Sequence, residues 1–146
     1  MSLTPRQIQL VQESFAKVKP IAAQAAGIFY GKLFEFDPAL RKLFKGDMDA
    51  QGKKLMTVLA VAVDSLKRLD QLVPVLEQLA ERHVQYGVEI ADYTTVGNAL
   101  LQTLKAGLGD DFTPETRQAW IAVYQLVADT MRSHAYQEFS RKSASG

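Results

Sequence analysis

The sequence predicts an all-α fold in a single domain, and three observations carry that prediction. Apolar residues recur every three or four positions along most of the chain, which is the period of a helix. No stretch alternates strictly enough for a strand, and no Asn-Gly or Asp-Gly pair marks a hairpin. Each of the five prolines can sit in the first turn of a helix, where a missing N–H costs nothing.

Thr4-Pro5 opens the first helix, and Gln7 completes a capping box with Thr4. Its stripe is Ile8, Val11, Phe15 and Val18. Lys19-Pro20 precedes the second stripe, Ala25, Phe29, Leu33 and Phe36. Asp37-Pro38 pairs a cap with a proline before a short segment holding Leu40, Leu43 and Phe44. A longer helix is expected around Ala50–Leu69, with Leu55, Val58, Leu59, Ala62, Leu66 and Leu69 on one face. Val73-Pro74 is read as the start of the next, which carries Leu76, Leu79, Ala80 and His83. Val96, Leu100, Thr103 and Leu104 make the sixth. Thr113-Pro114 opens a long last helix with Trp120, Val123, Tyr124, Val127 and Met131, expected to run to Phe139. The domain is therefore taken as residues 1–139, with 140–146, small and polar, as a flexible tail. Seven helices of such unequal length favour orthogonal packing over a regular four-helix bundle.

Composition narrows the function. A chain of 146 residues, 47% hydrophobic, suits one domain with a sizeable core. Seventeen Lys and Arg against sixteen Asp and Glu leave a net charge of +1, no electrostatic reason to expect nucleic acid or an anionic membrane. The absence of cysteine excludes disulfides, thiolate metal sites and a cysteine nucleophile. The opening MSLTPRQIQL lacks the pattern of a signal peptide, and the apolar run Val58–Val63 is too short to span a bilayer. A cytoplasmic location is expected.

Few residues can carry chemistry. No GxSxG elbow, GxxxxGK[ST] loop or GxGxxG turn occurs. Asp110-Asp111 reads as a solvated loop, and Lys53-Lys54 lacks the aromatic interleaving of a nucleic-acid surface. The two histidines are His83 and His134. His134, near Arg132, Ser133 and Gln137, is expected to face solvent. His83 shares a face with Leu76, Leu79 and Ala80, so if buried it must be hydrogen-bonded or coordinated. Taken alone it reads as a satisfied core histidine. Zinc would need three or four protein ligands, whereas a metal in a planar macrocycle needs only one.

Together, FYGKLFEFDPALRKLF, QGKKLMTVL, LAERHVQYGV, DYTTVGNALLQTL and AWIAVY resemble, in order and spacing, the globin family. The resemblance covers nearly the whole chain. It is strongest to bacterial single-domain globins, the globin portion of flavohaemoglobins and neuroglobin-like proteins. It implies a haem b cofactor with His83 as the proximal ligand to iron. Tyr30, Gln51 and Leu55 match the distal residues that meet a bound ligand. Phe34, Phe44, Val58, Leu79, Val88 and Val96 match the pocket, with Phe44 stacked on the ring and Val88 at its edge. Lys54, next to Leu55, could coordinate the iron if deprotonated, but is expected to be exposed or to reach a haem propionate. Gly52 matches a close crossing with the second helix, facing Ala26 or Gly27. Tyr93 matches a tyrosine that, with a glutamate, polarises the proximal histidine in flavohaemoglobins. The glutamate's place falls at Ala135, with Glu138 nearly a turn further on.

The function so implied is tight, reversible O₂ binding at a five-coordinate iron, in an oxygen-carrying role, with NO and CO as further ligands. One alternative is NO dioxygenation, with electrons from a cellular reductase since no reductase sequence follows Gly146. Others are a haem-based gas sensor and a haemless helical interaction module.

Overall fold

The computed structural model describes the backbone of residues 3–145 and the side chains of 3–135. Six α-helices follow one another: α1 Pro5–Val18, α2 Ala22–Phe36, α3 Met48–Asp64, α4 Leu69–Tyr86, α5 Asp92–Leu108 and α6 Pro114–Ser145. Short 3-10 turns at Lys19–Ile21, Pro38–Leu43 and Gly109–Asp111 make three of the corners. No strand occurs among the described residues. The seven sequence segments are these six helices and the Pro38–Leu43 turn.

The predicted starts hold in detail at most corners. Thr4 and Gln7 form the capping box reciprocally, each side chain meeting the other's backbone N–H. Asp37 accepts from the Ala39 N–H ahead of the 3-10 turn. Thr113 accepts from the Thr116 N–H at the head of α6. Two expectations fail in the middle of the chain. The helix expected to continue to Leu69 stops at Asp64, and Leu69 instead opens α4. Pro74 consequently lies inside α4 rather than in its first turn. Apolar periodicity runs through this corner because Leu66 and Leu69 both pack on the core, Leu66 fully buried. A period of side chains cannot reveal that the backbone has turned between them.

The last helix is helical to Ser145, so the backbone continues through the stretch read as a tail. The side chains of 136–146, Glu138 included, lie outside the described residues.

The core joins α1, α2, α5 and α6. α1 packs on α6, α2 on α5, and α4 on the far part of α6. Trp120 sits at the centre, its ring centroid 6.3 Å from that of Phe15 and its Nε1–H donating to Ser14 Oγ at 2.8 Å. Ser14 in turn donates to its own helix at Leu10 O, so the buried polar atoms are satisfied. Two glycines set close approaches. A Cβ on Gly52 would stand 2.9 Å from Ala26 Cβ, which makes Ala26 the facing residue where α3 crosses α2. A Cβ on Gly97 would stand 2.6 Å from a Tyr124 ring carbon, where α5 crosses α6.

Candidate functional site

The packing leaves a slot. α3 leans on α2 and α1, α4 leans on α6, and α3 and α4 scarcely touch each other. The elements around the slot carry half-buried apolar side chains packed against the core: Leu55 and Leu59 on α3, Leu79 on α4, Val88 in the following loop, and Val96 on α5. Val58 is 38% exposed, high for a valine on an apolar stripe.

His83 stands on the α4 wall, one turn from its end. Its Nδ1 lies 2.7 Å from Leu79 O. A carbonyl can only accept, so the ring proton sits on Nδ1 and Nε2 keeps its lone pair free for a metal. Burial pushes the His83 pKa down, against the smaller upward pull of the Leu79 bond, and so favours the neutral ring that a metal ligand requires. The helix end is built on the same residue. Gly87, at φ 93°, takes the left-handed conformation that favours glycine, and the Val88 N–H turns back to donate to His83 O at 2.9 Å. Leu43 closes against this corner, 3.5 Å from where a Cβ on Gly87 would be.

The Tyr93 ring lies 6.3 Å from the His83 ring, with 29° between their planes. Its hydroxyl is buried and has no partner among the described residues. Ala135, 2% exposed, occupies the place where the resemblance called for a glutamate. Tyr124 from α6 donates to Tyr93 O and fixes the backbone behind this wall.

The opposite wall is aromatic with a polar centre. Tyr30, on α2, is 7% exposed. Its ring packs against Phe29, Phe34 and Phe44 at centroid distances of 5.1, 6.0 and 5.3 Å. Phe44 reaches this cluster because the Pro38–Leu43 turn brings it back over α2. Burial raises the Tyr30 pKa, and hydrogen bonding with the Gln51 side chain partly offsets the rise. The phenol thus stays protonated and able to donate. Gln51 is on the first turn of α3, and Leu55 follows one turn later on the same face. Lys54 is exposed. Behind Leu55 lies a small apolar cavity of about 20 Å³, walled by Phe29, Met56, Leu59, Leu104 and Trp120 among others.

His134 corrects the sequence reading. Its side chain is 14% exposed, not solvent-facing, and lies between Glu77 and Glu81 of α4 at 3.4 and 2.9 Å. It ties α6 to the helix that bears His83. Sequence reasoning missed it because neither glutamate is near residue 134 in the chain, though their spacing of four puts both on one face of α4.

The Globin family model matches residues 28–131. The chain is a globin. It is similar to Neuroglobin-1 of Oncorhynchus mykiss, 29% identical over 143 residues that cover 88% of this chain and 90% of that protein. It is also similar to the Flavohemoprotein of Bacillus subtilis, 29% identical over 131 residues. That match covers 87% of this globin but only 33% of the flavohemoprotein, so the chain spans about a third of that relative. Among solved structures, an engineered carbene transferase made from a putative nitric oxide dioxygenase of Rhodothermus marinus superposes with a TM-score of 0.87. It is 25% identical and covers 97% of this chain and 99% of its own. The fold recurs in a bacterial globin from Campylobacter jejuni, TM-score 0.82 at 22% identity, covering 94% of this chain and 99% of that one.

As a globin the protein uses haem b and binds diatomic gases. The residues fit that cofactor. A flat apolar ring suits walls of Leu, Val and Phe, and one neutral imidazole nitrogen is free to ligate. No group of three or more potential metal-binding side chains competes for a metal among the described residues. No helix there is long and apolar enough to cross a membrane.

Proposed function

We propose that this globin holds haem b through His83 and binds O₂ tightly and reversibly at a five-coordinate iron. Haem supplies the ferrous iron at which a diatomic ligand binds; the selectivity belongs to the chain. The observation that supports the reading is that Tyr30 of α2, itself buried, is within hydrogen-bonding reach of the half-buried Gln51 of α3, while His83 stands on α4 with a free ring nitrogen. A phenol O–H and an amide N–H there stabilise the negative charge that O₂ gains on binding, in surroundings of low dielectric. Gln51 is a poor iron ligand, and Lys54 points its charge at solvent, so neither favours a second protein ligand.

Tyr30→Phe tests this. A hydrogen bond to a charged group contributes about 1.5–3 kcal/mol, so O₂ affinity falls roughly 10- to 100-fold. The loss appears in the O₂ dissociation rate, because the bond forms only after the ligand has arrived. CO, which gains less charge, dissociates at nearly the same rate as before. Stopped-flow dissociation rates for the two gases check it; an unchanged O₂ rate removes Tyr30 from the site.

A second reading is NO dioxygenation, favoured by the likeness to flavohemoproteins and to the putative nitric oxide dioxygenase of R. marinus. The same Tyr30–Gln51 pair serves it. Sustained NO consumption with nitrate formation, in the presence of an added reductase, separates it from a carrier.

A further inference from the structure

A second hollow lies apart from the slot. Where the end of α2 and the corner before α6 meet α5, an open groove of about 800 Å³ shares no residue with the slot. Sites for small molecules have volumes of roughly 300–1,000 Å³. Two cations line this groove, Lys105 of α5 and Arg117 of α6, and no carboxylate does. Neither cation takes part in an ion pair among the described residues. Two acidic residues of the same corner are engaged elsewhere, Asp111 with Lys17 at 3.2 Å and Glu115 with Arg6 at 2.8 Å. The positive charge of the groove is therefore not offset from within its own walls.

The same groove offers apolar surface beside the charge. Leu101 and Phe112 line it, half-buried and packed on the core. Phe36, at the end of α2, joins them and is 45% exposed, high for a phenylalanine. Asn98, Gln102 and Lys105 follow one another by four and then three residues and all line the groove, so one face of α5 presents two amides and a cation over about 10 Å of helix. A stable interface with a folded protein takes about 20–30 residues a side. Eleven residues line this groove, which suits a small molecule instead.

We propose that this groove binds a small amphipathic carboxylate, a single anionic head on an apolar body. Lys105 and Arg117 meet the head, and a guanidinium can take both carboxylate oxygens at once. The body covers Leu101, Phe112 and Phe36, and the Asn98 and Gln102 amides edge the site. Acyl and aryl carboxylates share this chemistry. The proposal is independent of the haem reading above, because no residue of the groove belongs to the slot.

The test uses the full chain with its haem and four probes. Octanoate and phenylbutyrate stand for the acyl and aryl sources; octanol carries the body without the charge, and acetate the charge without the body. Affinities are measured by calorimetry, and the site by amide shifts in nitrogen-labelled protein, with the Soret band followed throughout. At least one of the two amphipathic carboxylates is expected to bind, to shift the side-chain amides of Asn98 and Gln102, and to leave the Soret band in place. Acetate and octanol are expected to bind at least about tenfold more weakly. Two double variants lower the net charge equally: K105Q/R117Q in the groove, and K42Q/K67Q at exposed positions outside it. K105Q/R117Q is expected to weaken carboxylate binding about tenfold or more, and K42Q/K67Q less than about twofold. Phe36→Ser, at a half-exposed position, is expected to weaken it about threefold or more. Equal losses in the two double variants would show an effect of net charge alone and overturn the site. Acetate binding as tightly as octanoate and phenylbutyrate would overturn the apolar part. Binding that moves the Soret band and ignores K105Q/R117Q would put the ligand in the slot and overturn the groove, as would the failure of both carboxylates to bind.

Discussion

Helices α3 and α5 are both seventeen residues long, yet α5 buries seven of them and α3 only two, Gly52 and Val63. α5 runs between α2 and α6 and meets protein on both sides. α3 meets protein along one face only and leaves Val58 and Val61 substantially exposed, with Leu55 and Leu59 half-covered. Burial of apolar area is the main favourable term in folding, at roughly 25 cal/mol per Å². Most of the buried apolar area therefore lies with α1, α2, α5 and α6, to which α4 adds Leu72, Leu76 and Ala80, and α3 contributes the least. Segments with little buried area open most easily, so α3 is the wall expected to open first.

The largest expected effect falls on α4. His83→Ala removes the one neutral imidazole nitrogen free in the slot, and the purified variant is expected to lose the Soret band or release haem readily. His134→Ala is expected to keep the spectrum and to lose only about 1 kcal/mol or less, since Glu77 and Glu81 are half exposed. Absorption spectra and urea unfolding separate the two. Normal haem binding by His83→Ala would overturn His83 as the ligand.

The two glycine crossings sharpen the comparison at a smaller scale. Gly97→Ala forces a methyl into the Tyr124 ring, which its own hydroxyl holds to Tyr93 O. It is expected to cost about 2–3 kcal/mol in urea unfolding. Gly52→Ala meets Ala26 Cβ at 2.9 Å, a smaller overlap than the 2.6 Å at the Tyr124 ring. It is expected to cost about 1–2 kcal/mol, and to alter O₂ binding more than Gly97→Ala does, because Gln51 and Leu55 ride on α3. Equal costs would mean that α3 is held as firmly as α5.

The smallest effect is electrostatic. Burial holds the His83 pKa below the ordinary value near 6.5. Between the folded pKa and about 6.5 the unfolded chain binds a proton that the folded chain refuses, so stability is present above this window and is lost as pH falls through it. In the haem-free protein this contributes at most about 1.4 kcal/mol per pH unit. Wild type is expected to lose more stability than His83→Leu between pH 7 and pH 5, measured by thermal melts. A parallel decline in the two would remove His83 as the source.

Much of this was legible in the sequence, for physical reasons that differ by residue. Thr4, Asp37 and Thr113 signal helix starts because capping is a matter of three or four adjacent residues. Gly87 was not read as the end of α4, though a glycine just past an apolar stripe could have marked it in the same way. The Gly52–Ala26 crossing was readable as a small residue facing a small residue, and the family resemblance fixed its partner to within one position. The corner after Asp64 was not readable, because Leu66 and Leu69 keep the apolar period while the chain turns. The Gly97–Tyr124 contact and the seat of His134 depend on which helices meet, and single-chain periodicity does not contain that. The slot residues follow the same rule. His83 shows its apolar face in its own helix, but the meeting of Tyr30 with Phe44 and Gln51 needs the turn at Pro38–Leu43 to be formed.

That last contrast bears on the order in which the protein assembles. Everything that aims His83 is local: Leu79 O is four residues before it, and the Gly87 and Val88 amides follow within five. Such contacts form and dissolve within about a microsecond, without waiting for the rest of the chain. The Tyr30 cluster instead draws on Phe44 and Gln51, fourteen and twenty-one residues further along, and exists only once two helices and a turn have met. On the reading proposed above, a haem can therefore meet His83 on one helix end before the opposite wall exists. On that reading the cofactor serves as a template against which α3 comes to rest beside Tyr30, and the wall proposed to discriminate between gases is the later one to close.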